Sequence, residues 1–215
     1  MSKSIGCGIL LVLVLIVVVI GGMLWSSYNR LVTIDQRVNT AWANVQTQYQ
    51  RRYDLIPNLV NTVAGAANFE KSTLTEVTNA RASVGSVKID PSKAPTDPAQ
   101  MAQFEAAQGQ LGSALSRLLV VAENYPQLHA TENFQSLQAQ IEGTENRINA
   151  SRQDYNEVVQ TYNTMVKRFP TVLIAGMLGF QPRPPFSSQP GAEKAPTVNF
   201  NFGNATATPA PAATP

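Results

Sequence analysis

The residues of this chain best suited to chemistry form two small clusters of charged and tyrosine side chains. In the first cluster, Arg51, Arg52 and Asp54 flank Tyr53. Two guanidinium groups beside a carboxylate and a phenol could bind an anionic group. The same residues also suit a structural role at a helix end, where they would form local ion pairs or reach a facing helix. We favour the structural interpretation.

The second cluster has a similar composition and comprises Arg147, Arg152, Asp154 and Tyr155. Arg152 falls close to an apolar helical row, so we expect its aliphatic stem to lie against the core. A half-buried guanidinium needs a carboxylate or carbonyl partner. Asp54 and Glu70 are two candidate partners, and the sequence does not place them. We favour a structural role for this cluster as well.

No complete catalytic or metal-binding motif accompanies these clusters. The single His129 follows Pro126 in a predicted turn, where a surface position is the usual one. One histidine and one cysteine exclude a multi-histidine metal site, a cysteine-based zinc site and an internal disulfide. The paired carboxylates Glu142 and Glu145 are typical of a solvated helix face. We therefore predict no catalytic residue, no cofactor and no metal, and a protein that is not an enzyme.

The overall charge is small. The 215 residues include 16 Lys+Arg and 14 Asp+Glu, and the formal net charge is +2. Nucleic-acid-binding domains present clustered basic residues to the phosphate backbone. This chain has no basic run, so nucleic acid is not among the predicted partners.

An uncharged apolar segment precedes both clusters. Residues Ile5–Leu24 comprise 16 apolar residues and four glycines. Twenty helical residues span about 30 Å, which is the thickness of the bilayer core. Trp25 and Tyr28 follow at positions that favour the membrane interface. The segment is predicted to be an uncleaved, single-pass transmembrane anchor.

Two alternatives to an uncleaved anchor fit less well. A signal peptide has a shorter apolar core, followed by small residues at the cleavage site. Leu24 and Trp25 lie three positions before the candidate cuts after Ser26 and Ser27, and both side chains are too large. A lipidated cysteine would lie at the far end of the apolar run, whereas Cys7 lies near its start.

A helical spacing of apolar residues continues from Tyr28 to Phe169 without a competing strand pattern. The first helix is predicted to run from the membrane to about Arg52. Pro57 is predicted to mark a break or a first-turn position, with Asp54 as the N-cap of a second helix.

The remaining helix boundaries are set by glycine, proline and capping residues. The second helix is predicted to end at Gly85, and residues 85–98 form a predicted loop at one tip of the molecule. Asp97 and Pro98 form an N-cap and first-turn pair for the third helix. Thr131 is the predicted cap of the fourth helix.

Four long amphipathic segments with short connections predict an all-α fold, in which a left-handed, antiparallel, up-and-down four-helix bundle continues from the transmembrane helix. Nine of the 14 prolines lie from Pro170 onward. Residues 171–180 are predicted to pack as a short helix on the bundle end, and a disordered proline-rich tail follows. The predicted organisation is a short N-terminal tail at 1–4, an anchor at 5–25, a bundle at 26–180 and a Pro/Ala/Thr-rich tail at 181–215.

Three stretches of the chain resemble one family. SSYNRLVTIDQRVNTAWANVQTQYQRRYDLIPNLVNTV (Ser26–Val63) closely resembles the start of the LemA family of bacterial membrane proteins. NRINASRQDYNEVVQTYNTMVKRFP (Asn146–Pro170) with GFQPRPPF (Gly179–Phe186) is similar to its C-terminal half, and APTVNF (Ala195–Phe200) to its closing segment. The resemblance implies a single-pass anchor and an antiparallel helical bundle. It does not supply an activity, because the family as a whole has no established biochemical function and no agreed catalytic residues. The final 15 residues do not match the family pattern.

The sequence thus predicts a membrane-anchored interaction or scaffold module at the bacterial cell envelope. Its predicted partners are the lipid bilayer and another envelope protein. The sequence leaves open whether the chain also forms a homo-oligomer. The predicted location is the inner membrane, with a cytoplasmic N-terminus and an exported bundle.

Two other hypotheses remain. The chain could be an enzyme or an accessory subunit of a membrane protease or hydrolase, with Arg52, Asp54, Arg152 and Tyr155 as the candidate site. Alternatively, residues Pro182–Phe202 could bind a partner as an extended strand or polyproline segment.

Overall fold

A computed structural model describes the backbone of residues 2–187 and the side chains of residues 10–187. This part of the chain contains helices and no strand, which confirms the predicted all-α class. The helices are α1 (Ser2–Ala64), α2 (Lys71–Ser86), α3 (Pro98–Ala122), α4 (Pro126–His129), α5 (Glu132–Lys167) and α6 (Thr171–Leu178).

Helix α1 joins the anchor to the bundle without a break. It is the one helix of the described chain that is long and apolar enough to cross a membrane, and its most apolar stretch is not covered by the rest of the chain. Its first buried core residue is Leu31, six residues after Trp25. The predicted continuity of anchor and bundle is confirmed. Because α1 begins at Ser2, most of the predicted N-terminal tail is helical.

The predicted helix break at Pro57 is wrong, because α1 continues through this residue to Ala64. Proline lacks the N–H that would bond the carbonyl four residues earlier. That carbonyl belongs to Tyr53, and Arg81 of α2 donates to it from Nε at 3.5 Å. Buried Ile56 adds core packing beside the proline. Asp54 therefore lies inside the helix and caps nothing.

The core consists of two clusters stacked along the bundle axis. The proximal cluster, nearer the anchor, joins the Leu31–Tyr49 part of α1 to the start of α3 and the end of α5. The distal cluster joins the end of α1 to α2, the end of α3 and the start of α5. The chain therefore passes up through α1, down through α2, up through α3 and down through α5, as predicted for an up-and-down bundle.

Helix α2 has only 16 residues, and the loop 87–97 continues its downward path. Trp42 donates from Nε1 to the Asp90 carbonyl at 3.0 Å, and the Ala94 amide donates to Asn39 Oδ1 at 3.1 Å. Ala94 is buried in the proximal cluster. The loop therefore covers the side of the bundle, and its predicted position at one tip is wrong.

The predicted caps of α3 and α5 are confirmed. The Asp97 carboxylate accepts from the Ala99 amide at 2.9 Å, and Pro98 occupies the first turn. The Thr131 hydroxyl accepts from the Phe134 amide at 3.4 Å. These bonds satisfy amide groups that have no partner within a helix.

The tail predicted at 181–215 starts too early in the chain. Helix α6 packs on the bundle as expected, but residues 181–187, which we call the strap, are also ordered against it. Phe186 of the strap is buried among the rings of Trp42 and Tyr155, at centroid distances of 6.0 and 5.3 Å. Burying an aromatic ring offsets the loss of chain entropy on ordering. The rest of the predicted tail, 188–215, lies outside the described residues.

Because Phe186 completes the proximal cluster, Phe186→Ala should lower the free energy of unfolding by about 3 kcal/mol. The measurement is urea unfolding of the full chain in detergent, followed by circular dichroism. Val120→Ala is the control, since Val120 is exposed on α3 away from the strap, and we expect a change within about 0.5 kcal/mol. Equal effects of the two substitutions would show that the strap adds nothing to the core.

Candidate functional site

The first predicted cluster is divided between two surfaces. Successive helical residues point about 100° apart, so the four neighbours on α1 face different surroundings. Arg52 is 2% exposed, whereas Arg51 and Asp54 are exposed and line a separate shallow depression with Gln140. Asp54 accepts from Gln50 one turn earlier at 2.8 Å. The cluster is therefore not one anion-binding site.

Arg52 lies between the two core clusters, in a polar layer formed with Gln108 of α3 and Glu145 of α5. Its guanidinium donates to Glu145 Oε1 at 2.5 Å, to the Gln108 carbonyl at 3.2 Å and to the Gln108 side-chain oxygen. It also lies 5.1 Å from the centre of the Tyr49 ring. Its Nε–H has no partner in the described part of the chain. The contacts of Arg52 join α1 to both α3 and α5.

Glu145 is the member of this layer that sequence reasoning missed, since it was assigned to a solvated helix face. Its side chain is 37% exposed, so its carboxylate touches both solvent and the buried guanidinium. The sequence does contain a signal. Arg52 continues the apolar row of α1, Gln108 interrupts that of α3, and the row of α5 lacks an apolar residue between Ile141 and Ile148.

A groove of about 980 Å³ runs between α3 and α5, beside the polar layer. We call it the α3/α5 groove. Arg52, Glu145 and Arg152 line it together with Glu105. The α3 wall is built from small side chains spaced four and three residues apart, at Ala102, Ala106, Gly109, Ser113 and Ser116. A second depression, lined by Leu119 and Asn146, continues the groove towards the distal end.

The strap is held by a ladder of α5 side chains. Tyr162 and Tyr155 donate to the carbonyls of Gln181 and Pro184 at 3.0 and 3.1 Å. Two asparagines bond the strap backbone in both directions: Asn163 pairs with the N–H and carbonyl of Arg183, and Asn156 with those of Phe186. These residues repeat every seven positions, so they share one face of α5.

Arg183 connects the strap to α1 and to the loop 87–97. Its buried guanidinium donates to the Ala94 carbonyl at 2.5 Å and to Asp35 Oδ1 at 3.0 Å. Asp35 belongs to α1 and Ala94 to the loop 87–97. One side chain thus connects the strap, the loop and the membrane-anchored helix, and sequence reasoning assigned it to a disordered tail.

Two residues of the second predicted cluster, Arg152 and Tyr155, contact the strap. Arg152 is half-buried, as expected, and its partner is a carbonyl: it donates to Ser187 O at 3.0 Å and covers the Phe186 ring at 4.7 Å. Neither Asp54 nor Glu70 is its partner. Tyr155 is buried in the proximal cluster, and Arg147 is exposed on α5. The structure therefore brings Arg52 and Arg152 to one groove, but it does not gather the two predicted clusters into one site.

Burial affects the tyrosines of this region. Desolvation raises the pKa of Tyr155 far above the usual value of 10.0, and it also raises the pKa of Tyr49 and of Tyr162. The neutral phenol is the form that can donate to a strap carbonyl. These shifts therefore fit a structural role for the tyrosine ladder.

The remaining predicted positions are at the surface. Trp25 and Tyr28 are both exposed on α1, and Tyr28 touches Phe180 edge-on at 6.4 Å between ring centroids. His129 is exposed beside the Phe134 ring, at 6.0 Å. In the described part of the chain, no three His, Cys, Asp or Glu residues are grouped so that they could hold a metal ion.

Comparison with known proteins finds similarity along most of the chain. The family model of the LemA family matches residues 41–200. Magnetosome protein MamQ 2 of Paramagnetospirillum magneticum is 26% identical over 200 residues, covering 86% of this chain and 74% of that protein. Magnetosome protein MamQ of Magnetospirillum gryphiswaldense is 26% identical over 181 residues, covering 77% and 66%. Protein LemA of Metamycoplasma hominis is 24% identical over 150 residues, covering 70% and 64%.

The pairing of Arg52 with Glu145 leads to a stability prediction. Glu145→Ala leaves a buried guanidinium without its carboxylate, and it should lower the free energy of unfolding by about 2–3 kcal/mol. Urea unfolding of the full chain in detergent measures this change. Glu142→Ala, one turn earlier on the exposed face of α5, is the control and should change it by less than about 0.5 kcal/mol. A Glu145→Ala variant as stable as the control would contradict the structural role of the pair.

Proposed function

The chain belongs to the LemA family, and from this premise we propose that it is a membrane-anchored scaffold whose bundle binds another protein of the bacterial cell envelope. The observation that carries the proposal is the continuity of α1 from the apolar span into the bundle core. A flexible linker would let the bundle reorient, whereas a continuous helix holds its surfaces at a defined height above the bilayer. Such a rigid connection suits a protein whose function depends on where its surfaces lie relative to the membrane.

We place the partner surface at the α3/α5 groove. Small side chains on its α3 wall allow the backbone of another helix to approach closely. From Ala102 to Leu119 this wall is about 26 Å long, which fits a partner helix of about five turns. The wall lies on the body of a bundle helix, so it is presented by a rigid element.

The charged side chains of the groove indicate which part of it is open to a partner. At the strap end, Glu105 accepts from the Ser187 amide at 2.9 Å, and Arg152 donates to the Ser187 carbonyl. Both charged groups are therefore already engaged within the chain. Further along the groove, Ser116 and Asn149 are exposed, and one side of Glu145 faces solvent. A helix carrying hydroxyl, amide or basic groups would complement this open part.

The geometry supports the enzyme alternative less well. Of its four candidate residues, Arg52 and Arg152 line the groove, Asp54 lies in a separate depression and Tyr155 is buried against Trp42. General acid–base and nucleophilic catalysis require such groups within hydrogen-bonding reach of one reacting atom. The hypothesis that residues Pro182–Phe202 bind a partner as an extended segment is also less well supported. The strap backbone at 182–187 is already bonded to α5.

Site-specific photo-crosslinking in intact cells tests the scaffold. A photoreactive residue at Ser116, in the groove, should form a discrete adduct with a partner protein, whereas one at Thr75, on the exposed face of α2, should not. Ser113 is exposed on the α3 wall, so Ser113→Trp places a bulky ring in the groove. It should reduce the Ser116 adduct by roughly tenfold or more without changing the thermal melting of the protein.

Three outcomes of this crosslinking experiment would count against the proposal. The first is the absence of any adduct from Ser116. The second is equal yield from Ser116 and Thr75, and the third is an adduct that persists in the Ser113→Trp variant. An adduct with twice the mass of the chain would identify a second copy as the occupant, and it would favour a homo-oligomer over a different envelope protein.

For the location, we propose the inner membrane, with the N-terminus in the cytoplasm and the bundle exported. In a Cys7→Ser background, Val120→Cys places the single thiol at an exposed position near the distal end of α3. A membrane-impermeant maleimide should label this thiol in intact cells. Labelling only after the inner membrane is permeabilised would place the bundle on the cytoplasmic side.

A further inference from the structure

Outside the anchor, the exposed apolar side chains of the described chain are concentrated around α6. Beyond Tyr28, six large apolar side chains of the described chain are exposed, and five of them lie between residues 169 and 178. Met177 is 87% exposed, Phe169 75% and Leu173 60%. An apolar patch of this density on a soluble surface marks a site that something else covers. The sixth residue is Val120 on α3, which stands alone.

Helix α6 lies where α1 leaves the membrane. It packs on α1 and α5 through Thr171 and Ala175, which are buried. Directly after α6, Phe180 touches Tyr28. Tyr28 is three residues beyond Trp25, or about 4.5 Å along the helix axis. Helix α6 is therefore at the level of the interface of the bilayer that α1 spans.

The charges around this patch suit a lipid surface. Lys167 and Arg168 precede the patch and are exposed, and Arg30 of α1 is exposed two residues beyond Tyr28. Between residues 167 and 181 the chain has no acidic residue. Basic side chains beside an apolar face are typical of segments that lie in the headgroup region.

We propose that α6, with Phe169 before it, inserts its exposed apolar face into the bilayer interface as a second membrane contact. The occupant of the patch is lipid, because α6 packs on α1 and Phe180 contacts Tyr28, directly after the apolar span. A single spanning helix is free to tilt, with an average near 20°. A second contact beside the exit point of α1 restricts that tilt, so the bundle stands at a defined angle to the membrane. The inference rests on the anchor and not on the groove.

Spin labelling in nanodiscs containing anionic lipid tests the insertion. The full chain carries Cys7→Ser and a single spin-labelled cysteine, either Met177→Cys in the patch or Val120→Cys as the exposed apolar control. Collision rates are measured with oxygen, which concentrates in lipid, and with an aqueous nickel complex. The ratio of oxygen to nickel collisions should be at least about threefold higher at Met177 than at Val120 if the label lies in the interface.

Two results would overturn the inference. Equal ratios at Met177 and Val120 would place α6 in water. Low collision rates with both reagents at Met177 would show that protein covers the patch, either a second copy or a partner. Leu173→Cys provides an independent site on the same face if the first variant does not fold. The result is independent of the crosslinking test, because the groove and α6 share no residue.

Discussion

Burial of the Arg52 guanidinium is the constraint on which the rest of this structure depends. A buried charge is tolerated only where its surroundings supply acceptors, and here they come from Gln108 on α3 and Glu145 on α5. Apolar contacts are not directional, whereas the hydrogen bonds of a guanidinium between two acceptors require one position. The polar layer therefore sets the register of three helices between the proximal and distal clusters. Because α1 also carries the apolar span, the same contact fixes the position of the other helices relative to that span.

Arg183 is a second buried guanidinium that is paired with acceptors, nearer the anchor end of the bundle. Its contacts with Asp35 and Ala94 connect the strap, the loop 87–97 and α1. Around it, the tyrosine and asparagine ladder of α5 satisfies the strap backbone, which has no secondary structure of its own to do so. The loop and the strap thus cover the part of the bundle that the short α2 leaves open. Of the two buried arginines, Arg52 joins the helices in the middle of the bundle, and Arg183 holds the irregular segments near its base.

A bundle held in this way can present surfaces at defined heights. The α3/α5 groove extends from the strap towards the distal end, on the bodies of two long helices, whereas α6 packs on α1 where Phe180 contacts Tyr28. The first surface is lined by small and polar side chains and the second by large apolar ones. This separation is consistent with a protein that contacts lipid at its base and another protein along its side.

The sequence by itself determined the elements that depend on local interactions. The apolar span, the helical rows, the caps at Asp97 and Thr131 and the all-α class follow from spacing and capping chemistry, which act within one or two helical turns. The tertiary structure decided what depends on distant residues. Pro57 stays inside α1 because Arg81 reaches the carbonyl that the proline leaves free, and Arg52 is paired by residues 56 and 93 positions away. The strap is ordered because α5 offers partners for its backbone, although its prolines alone favour disorder. A sequence shows that a buried arginine or a proline-rich segment needs partners, but only the packed helices determine which residues provide them.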